Sequence, residues 1–127
     1  MAKEQKKNPM IDKRKSPRIE LELSVSFAVS SDVPHNFFPG IMQDISTGGI
    51  FLATKQMLPI GTRLRLSFII DNRQISGHAE VRWLRQPSPS LPAGIDPGMG
   101  LLFLDLSADD RETIEFYIRQ QNKPPTH

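Results

Sequence analysis

Cysteine is missing from this chain of 127 residues, so neither a disulfide framework nor a thiolate metal site can form. Its absence suits a reducing cytoplasm. No apolar run reaches the roughly eighteen residues that a membrane-spanning helix needs. The opening stretch MAKEQKKNPMIDKRKSPR carries no hydrophobic segment of signal-peptide type. A cytoplasmic protein without membrane insertion is expected. Tryptophan and tyrosine occur once each, which leaves few platforms for stacking the bases of single-stranded nucleic acid. His35, His78 and His127 are not spaced with carboxylates as metal ligands are. No nucleophile–base pair and no G-x-G-x-x-G loop is present. An enzyme is the least supported class, with no catalytic residue, metal or cofactor to assign.

Charge is plentiful but unevenly spread. The formal net charge is +2. Residues 1–18 hold seven Lys or Arg against two acids, while the rest of the chain holds nine against twelve. The globular part is therefore acidic, which argues against general DNA or RNA binding. Residues 1–12 read as a flexible basic arm with little to bury. Residues 13–121 read as one domain and 122–127 as a C-terminal tail. A chain of this length can build one core without staples.

Inside the domain the apolar residues alternate. From 20 to 30, Leu21, Leu23, Val25, Phe27 and Val29 share one face, with Glu20, Glu22, Ser24 and Ser26 on the other. Period two marks a half-buried strand. Pro34 and Asn36 break the run. Short strands are expected over 40–45 and 49–54. Another is expected over 63–70, where Leu64, Leu66, Phe68 and Ile70 alternate. Asp71-Asn72-Arg73 reads as a hairpin loop, since Asn accepts a left-handed backbone. The next run sets Ile75, Gly77, Ala79, Val81 and Trp83 on one face and His78, Glu80 and Arg82 on the other. On that parity Trp83 belongs to the core, although a strand end at a barrel rim can also serve base stacking. Residues 86–96, rich in proline, form a long surface loop. Gly98-Met99-Gly100 reads as a turn and 100–104 as the last strand.

A helix follows. Ser107 is a good N-cap, and Asp109 and Asp110 suit the positive end of a helix dipole. Ile114, Tyr117, Ile118 and Gln121 repeat at helical spacing until KPPTH stops the helix. Six strands and one C-terminal helix, without β-α-β alternation, make an all-β fold, an antiparallel sheet or small barrel.

Two short patterns stand out against this background. Arg14-Lys15-Ser16-Pro17-Arg18 is an R-x-x-x-R pair just before the first strand. Asp44-Ile45-Ser46-Thr47-Gly48-Gly49 is a D-x-S-x-x-G turn between two apolar runs. At average residue usage the first occurs by chance in roughly a third of chains this long, and the second in about one in twenty. Singly, they also describe a basic surface and an Asx turn. Their joint presence, ahead of the right strands, carries the information. The first supplies two guanidinium forks, which grip phosphate or read the O6 and N7 acceptors of guanine. The second supplies a carboxylate, a hydroxyl and glycine backbone that a ligand can approach closely. Pro17 stiffens the arginine segment. Together they suit a small anionic ligand with purine edges.

These motifs on this strand pattern resemble the PilZ domain, a bacterial receptor module for cyclic di-GMP, from about Arg14 to Gln121. The resemblance implies a six-stranded antiparallel β-barrel with a C-terminal helix, and a glycine-bearing last strand where Gly98-Met99-Gly100 stands. It implies that Arg14, Arg18, Asp44, Ser46 and Gly49 contact cyclic di-GMP, with Lys13, Lys15, Gly48 and Trp83 as secondary candidates. Asp44 would accept the guanine N1–H and N2–H or orient an arginine. Ser46 would donate to a phosphate or guanine oxygen. The expected function is a receptor that orders its arginine arm on the ligand and signals to an unidentified effector protein. The alternative is a PilZ-like adaptor that works through protein contacts without nucleotide.

Overall fold

The alternating runs close on themselves. The computed structural model describes residues 18–30 and 37–122. Its strands are β1 (Ile19–Val29), β2 (Phe38–Ile45), β3 (Gly49–Ala53), β4 (Arg63–Ile70), β5 (Arg73–Arg85) and β6 (Gly98–Phe103), followed by helix α1 (Ala108–Asn122). They form a closed antiparallel barrel in the order β1-β2-β3-β6-β5-β4, with β4 pairing back onto β1. This is the expected six-stranded barrel with a C-terminal helix. Residues 1–12, Lys13, Arg14, Lys15, Pro34, Asn36 and the tail 123–127 lie outside the described residues.

Inward positions fill the cylinder. Phe27, Met42, Leu52, Leu64, Ile75 and Met99 are buried in one core. Ile114 and Ile118 of α1 join that core, and the helix packs against β1 and β4. Ser107 caps α1, accepting the Asp110 N–H at 3.0 Å. Asp71 and Asn72 both have positive φ, 52° and 64°, as a two-residue hairpin of the mirror-image type requires. Arg73, expected in that loop, opens β5 instead.

Two expectations are corrected. Gly98, Met99 and Gly100 do not make a turn. They are strand β6, opposite Ala53, Leu52 and Phe51. Their glycines mark close approach rather than a bend, since a Cβ at Gly98 would run into the Leu52 carbonyl oxygen. Trp83 is not a core residue. Val81 faces Leu101 but Trp83 faces Gly100, so β5 carries one extra residue at this point. That bulge resets the alternation and turns the indole outward, leaving Trp83 45% exposed.

Two further register shifts occur, between Glu20 and Leu23 in β1 and between Met42 and Asp44 in β2. All three fall along one row of paired residues: Glu20, Asp44, Phe51, Gly100 and Trp83, running across β1, β2, β3, β6 and β5. Bulges re-aim side chains locally. Here they aim one row of side chains at the outer wall of the barrel.

Candidate functional site

Phe51 is the centre of that row. It is only 3% exposed, yet it stands apart from the barrel core. Its cover comes from outside. The Trp83 ring stacks on it with centroids 5.3 Å apart and planes 22° apart. The Arg85 guanidinium carbon lies 4.5 Å above the Phe51 centroid and 5.7 Å from that of Trp83. Gly100 makes the stack possible, because a Cβ there would collide with the indole. Arg85 also donates to the Asp96 carbonyl oxygen at 3.1 Å. Gln43, the extra residue of the β2 bulge, donates to Asp96 Oδ2 at 2.7 Å. The proline-rich loop is thereby tied to the edge of this floor.

The two sequence motifs meet beside it. Arg18 immediately precedes β1, and the pairing of Glu20 with Asp44 brings it next to the other motif. Its Nη1 forms an ion pair and hydrogen bond with Asp44 Oδ1. The same oxygen accepts the Phe51 N–H at 3.1 Å. Asp44 therefore orients an arginine, one of the two roles open to it.

Ser46 organises the turn. Its N–H donates to the Gly49 carbonyl oxygen at 2.9 Å. Its Oγ accepts N–H groups from Gly48 at 3.1 Å and Gly49 at 3.3 Å. A hydroxyl oxygen has two lone pairs and one proton. With both lone pairs engaged, Ser46 has a donor left to offer. Gly49 is required for a reason other than a bend in the chain. Neither Gly48 nor Gly49 has positive φ, and a Cβ at Gly49 would run into the Leu101 carbonyl oxygen of β6.

An open groove of about 570 Å³ results. Arg18, Asp44, Ser46, Gly48 and Gly49 line one side, and Arg82, Trp83 and Arg85 the other. Three guanidinium groups face one carboxylate over an aromatic floor, which suits a planar, anionic ligand. Every expected site residue within the described range lines it. Arg14, Lys13 and Lys15 lie outside the described residues. Arg82, Arg85 and Gly100 are lining residues that the motifs did not mark, and Phe51 supports Trp83 and Arg85 from beneath. The signal available was the cluster Arg82-Trp83-Leu84-Arg85, two cations around the one tryptophan at a strand end.

His78 forms a separate pair. Its Nδ1 is 2.7 Å from Asp105 Oδ2, and its N–H donates to Asp105 Oδ1 at 2.6 Å. The backbone hydrogen bond, with smaller help from the imidazole, holds the Asp105 carboxyl below its ordinary range.

The sequence profile of the PilZ domain matches residues 12–120. The chain belongs to the PilZ domain family. A sequence search of curated proteins gave no match. Among solved structures, this PilZ domain is similar to the inhibitor of motility MotI/DgrA of Bacillus subtilis. The TM-score is 0.72 with 25% identity, over 88% of this chain and 53% of that one. The chain thus spans about half the length of that protein. The PilZ domain of YcgR from Escherichia coli, solved with c-di-GMP, shares the fold. It has a TM-score of 0.63 and 13% identity over 85% of this chain and 92% of that one. Among the described residues, no helix is long and apolar enough to cross a membrane.

Proposed function

We propose that this PilZ domain is a receptor for cyclic di-GMP that signals to a separate effector protein. The observation that carries the reading is the convergence of Arg18, Asp44 and Ser46, from two motifs 26 residues apart, in one arginine-rich groove. Cyclic di-GMP presents two phosphodiesters and two guanines. An arginine fork matches phosphate oxygens, and it matches the paired O6 and N7 acceptors of guanine. Asp44 fixes the Arg18 fork, and Ser46 offers its proton. Arg82 and Arg85 add positive charge, and Arg85 and Trp83 add faces on which a base can stack. Arg14 stands one R-x-x-x-R spacing before Arg18 and supplies the second fork. PilZ domains are receptor and adaptor modules, and YcgR's PilZ domain holds the same nucleotide.

Calorimetric titration with cyclic di-GMP, fitted for stoichiometry, tests the proposal. Saturable binding is expected, with cyclic di-AMP far weaker, since adenine sets an N6 donor where guanine has the O6 acceptor. Binding of both within a few-fold would mean that the arginines read only phosphate. No binding would leave the adaptor reading. The arm is tested by hydrogen exchange. Lys15, Ser16 and Arg18 amides are expected to gain protection when nucleotide binds, and equal protection in both states would place the switch elsewhere.

A further inference from the structure

The turn that carries Ser46 is held from behind. Arg111, in the first turn and a half of α1, donates through Nη1 to the carbonyl oxygen of Thr47 at 3.3 Å. The Phe103 N–H, at the end of β6, donates to the carbonyl oxygen of Gly48 at 2.9 Å. In a trans peptide the C=O and the N–H point in opposite directions. Holding the Thr47 oxygen towards α1 therefore aims the Gly48 N–H away from the helix. Holding the Gly48 oxygen towards β6 does the same for the Gly49 N–H. Both N–H groups end on Ser46 Oγ. The direction of the Ser46 hydroxyl proton is thus set by what holds the two carbonyls.

Arg111 is an odd residue for its place. The start of a helix favours anions, and α1 has Asp109 and Asp110 there. A cation one residue later opposes the dipole. Its neighbour Asp110 accepts from Arg73 Nε at 3.1 Å, so this end of α1 is already fastened to β5 without it. The contact of Arg111 with Thr47 reaches the turn whose Ser46, Gly48 and Gly49 line the groove.

We propose that Arg111 is a positioning residue for the binding groove: through the Thr47 carbonyl it sets the Gly48 peptide, and with it the Ser46 hydroxyl. The ligand in this statement rests on the cyclic di-GMP reading, whereas the control of the turn does not. Arg111 also joins α1 to the site. A ligand that tightens the turn tightens the seating of α1, and a protein whose binding to α1 the nucleotide strengthens will strengthen nucleotide binding by the same factor.

The test uses the full chain with Arg111→Gln and Arg111→Lys. In free Arg111→Gln, the Gly48 and Gly49 amides are expected to exchange about fivefold faster or more, as loss of one hydrogen bond allows. Cyclic di-GMP affinity is expected to fall about five- to tenfold. The melting temperature is expected to stay level or rise, because a cation has left the helix start. Arg111→Lys, which keeps a charged donor on a long stem, is expected to restore part of both losses. A lowered melting temperature with unchanged affinity would overturn the proposal and make Arg111 a plain structural contact. Unchanged exchange at Gly48 would overturn it as well, any loss of affinity then being an effect of distant charge. If the wild-type chain fails to bind cyclic di-GMP, the receptor reading falls, and the exchange measurement alone decides whether Arg111 holds the turn.

Discussion

Asp44 Oδ1 takes two donors at once, the Arg18 guanidinium and the Phe51 N–H. The two residues of the ion pair therefore have different consequences when removed. Asp44→Ala leaves a backbone N–H unmatched in a buried strand, which costs about 1–3 kcal/mol. It is expected to lower both stability and nucleotide affinity. Arg18→Ala removes a side chain at the rim that is 35% exposed. It is expected to leave the melting temperature within a few degrees while weakening cyclic di-GMP binding about tenfold or more, the value of one charge-assisted hydrogen bond. Thermal melts and calorimetry on both variants separate the two effects. Asp105 is a residue of another kind. Its carboxyl is depressed below its ordinary value of 3.8, mainly by the His78 N–H. A depressed carboxyl stabilises the fold above its ordinary value and loses that contribution as pH falls through the depressed one. The stability gap between wild type and Asp105→Ala is expected to be open at a pH above the ordinary carboxyl value and to shrink at a pH well below it. Chemical denaturation at both values checks this, and a gap that persists at the lower pH would assign it to packing.

Strands show how far the sequence could be read. Period two held along the regular ladder of β4 with β5, so Leu64, Leu66, Phe68 and Ile70 of β4 face inward as their alternation implied. It failed at Trp83, because a bulge moves every later residue to the other face and nothing in the residue type of Arg82 marks it as the extra one. The glycines of β6 misled for a related reason. A glycine that bends the chain and a glycine that lets another backbone come close look alike in sequence. The site was legible where a residue's chemistry is rare, at Arg18, Asp44 and Ser46. It was illegible where an ordinary residue acquires a role by position, as Phe51 does. Gly49 tests the close-approach account. Gly49→Ala pushes a methyl into the backbone of β6 and is expected to destabilise by about 1–3 kcal/mol. Urea unfolding should show a lowered midpoint with an unchanged slope. An unaltered midpoint would mean that β6 gives way freely.

At the scale of the whole molecule, charge and assembly are arranged around the same wall. The basic segment 1–18 leads into a remainder with more acids than bases, and the groove gathers Arg18, Arg82 and Arg85 where the two meet. Attraction between such a groove and a dianion is screened by salt. Cyclic di-GMP affinity is expected to fall steadily between about 0.05 M and 0.5 M salt, chiefly through a slower on-rate. Stopped-flow measurements check this, and a salt-independent on-rate would assign recognition to short-range contacts alone. The barrel's strand order has a consequence in time. β3 has no partner on its far side until β6 arrives, and β6 follows it by 44 intervening residues, 54–97. Both signature motifs are made before β6, which completes the wall on which they act, with Gly100 beneath Trp83 and the Phe103 N–H behind Gly48. A chain halted before Gly98 would carry the whole signature and no groove. On the cyclic di-GMP reading, the nucleotide site is therefore completed in one step, when β6 docks, and a nascent or truncated chain without β6 is expected to have no partial version of it.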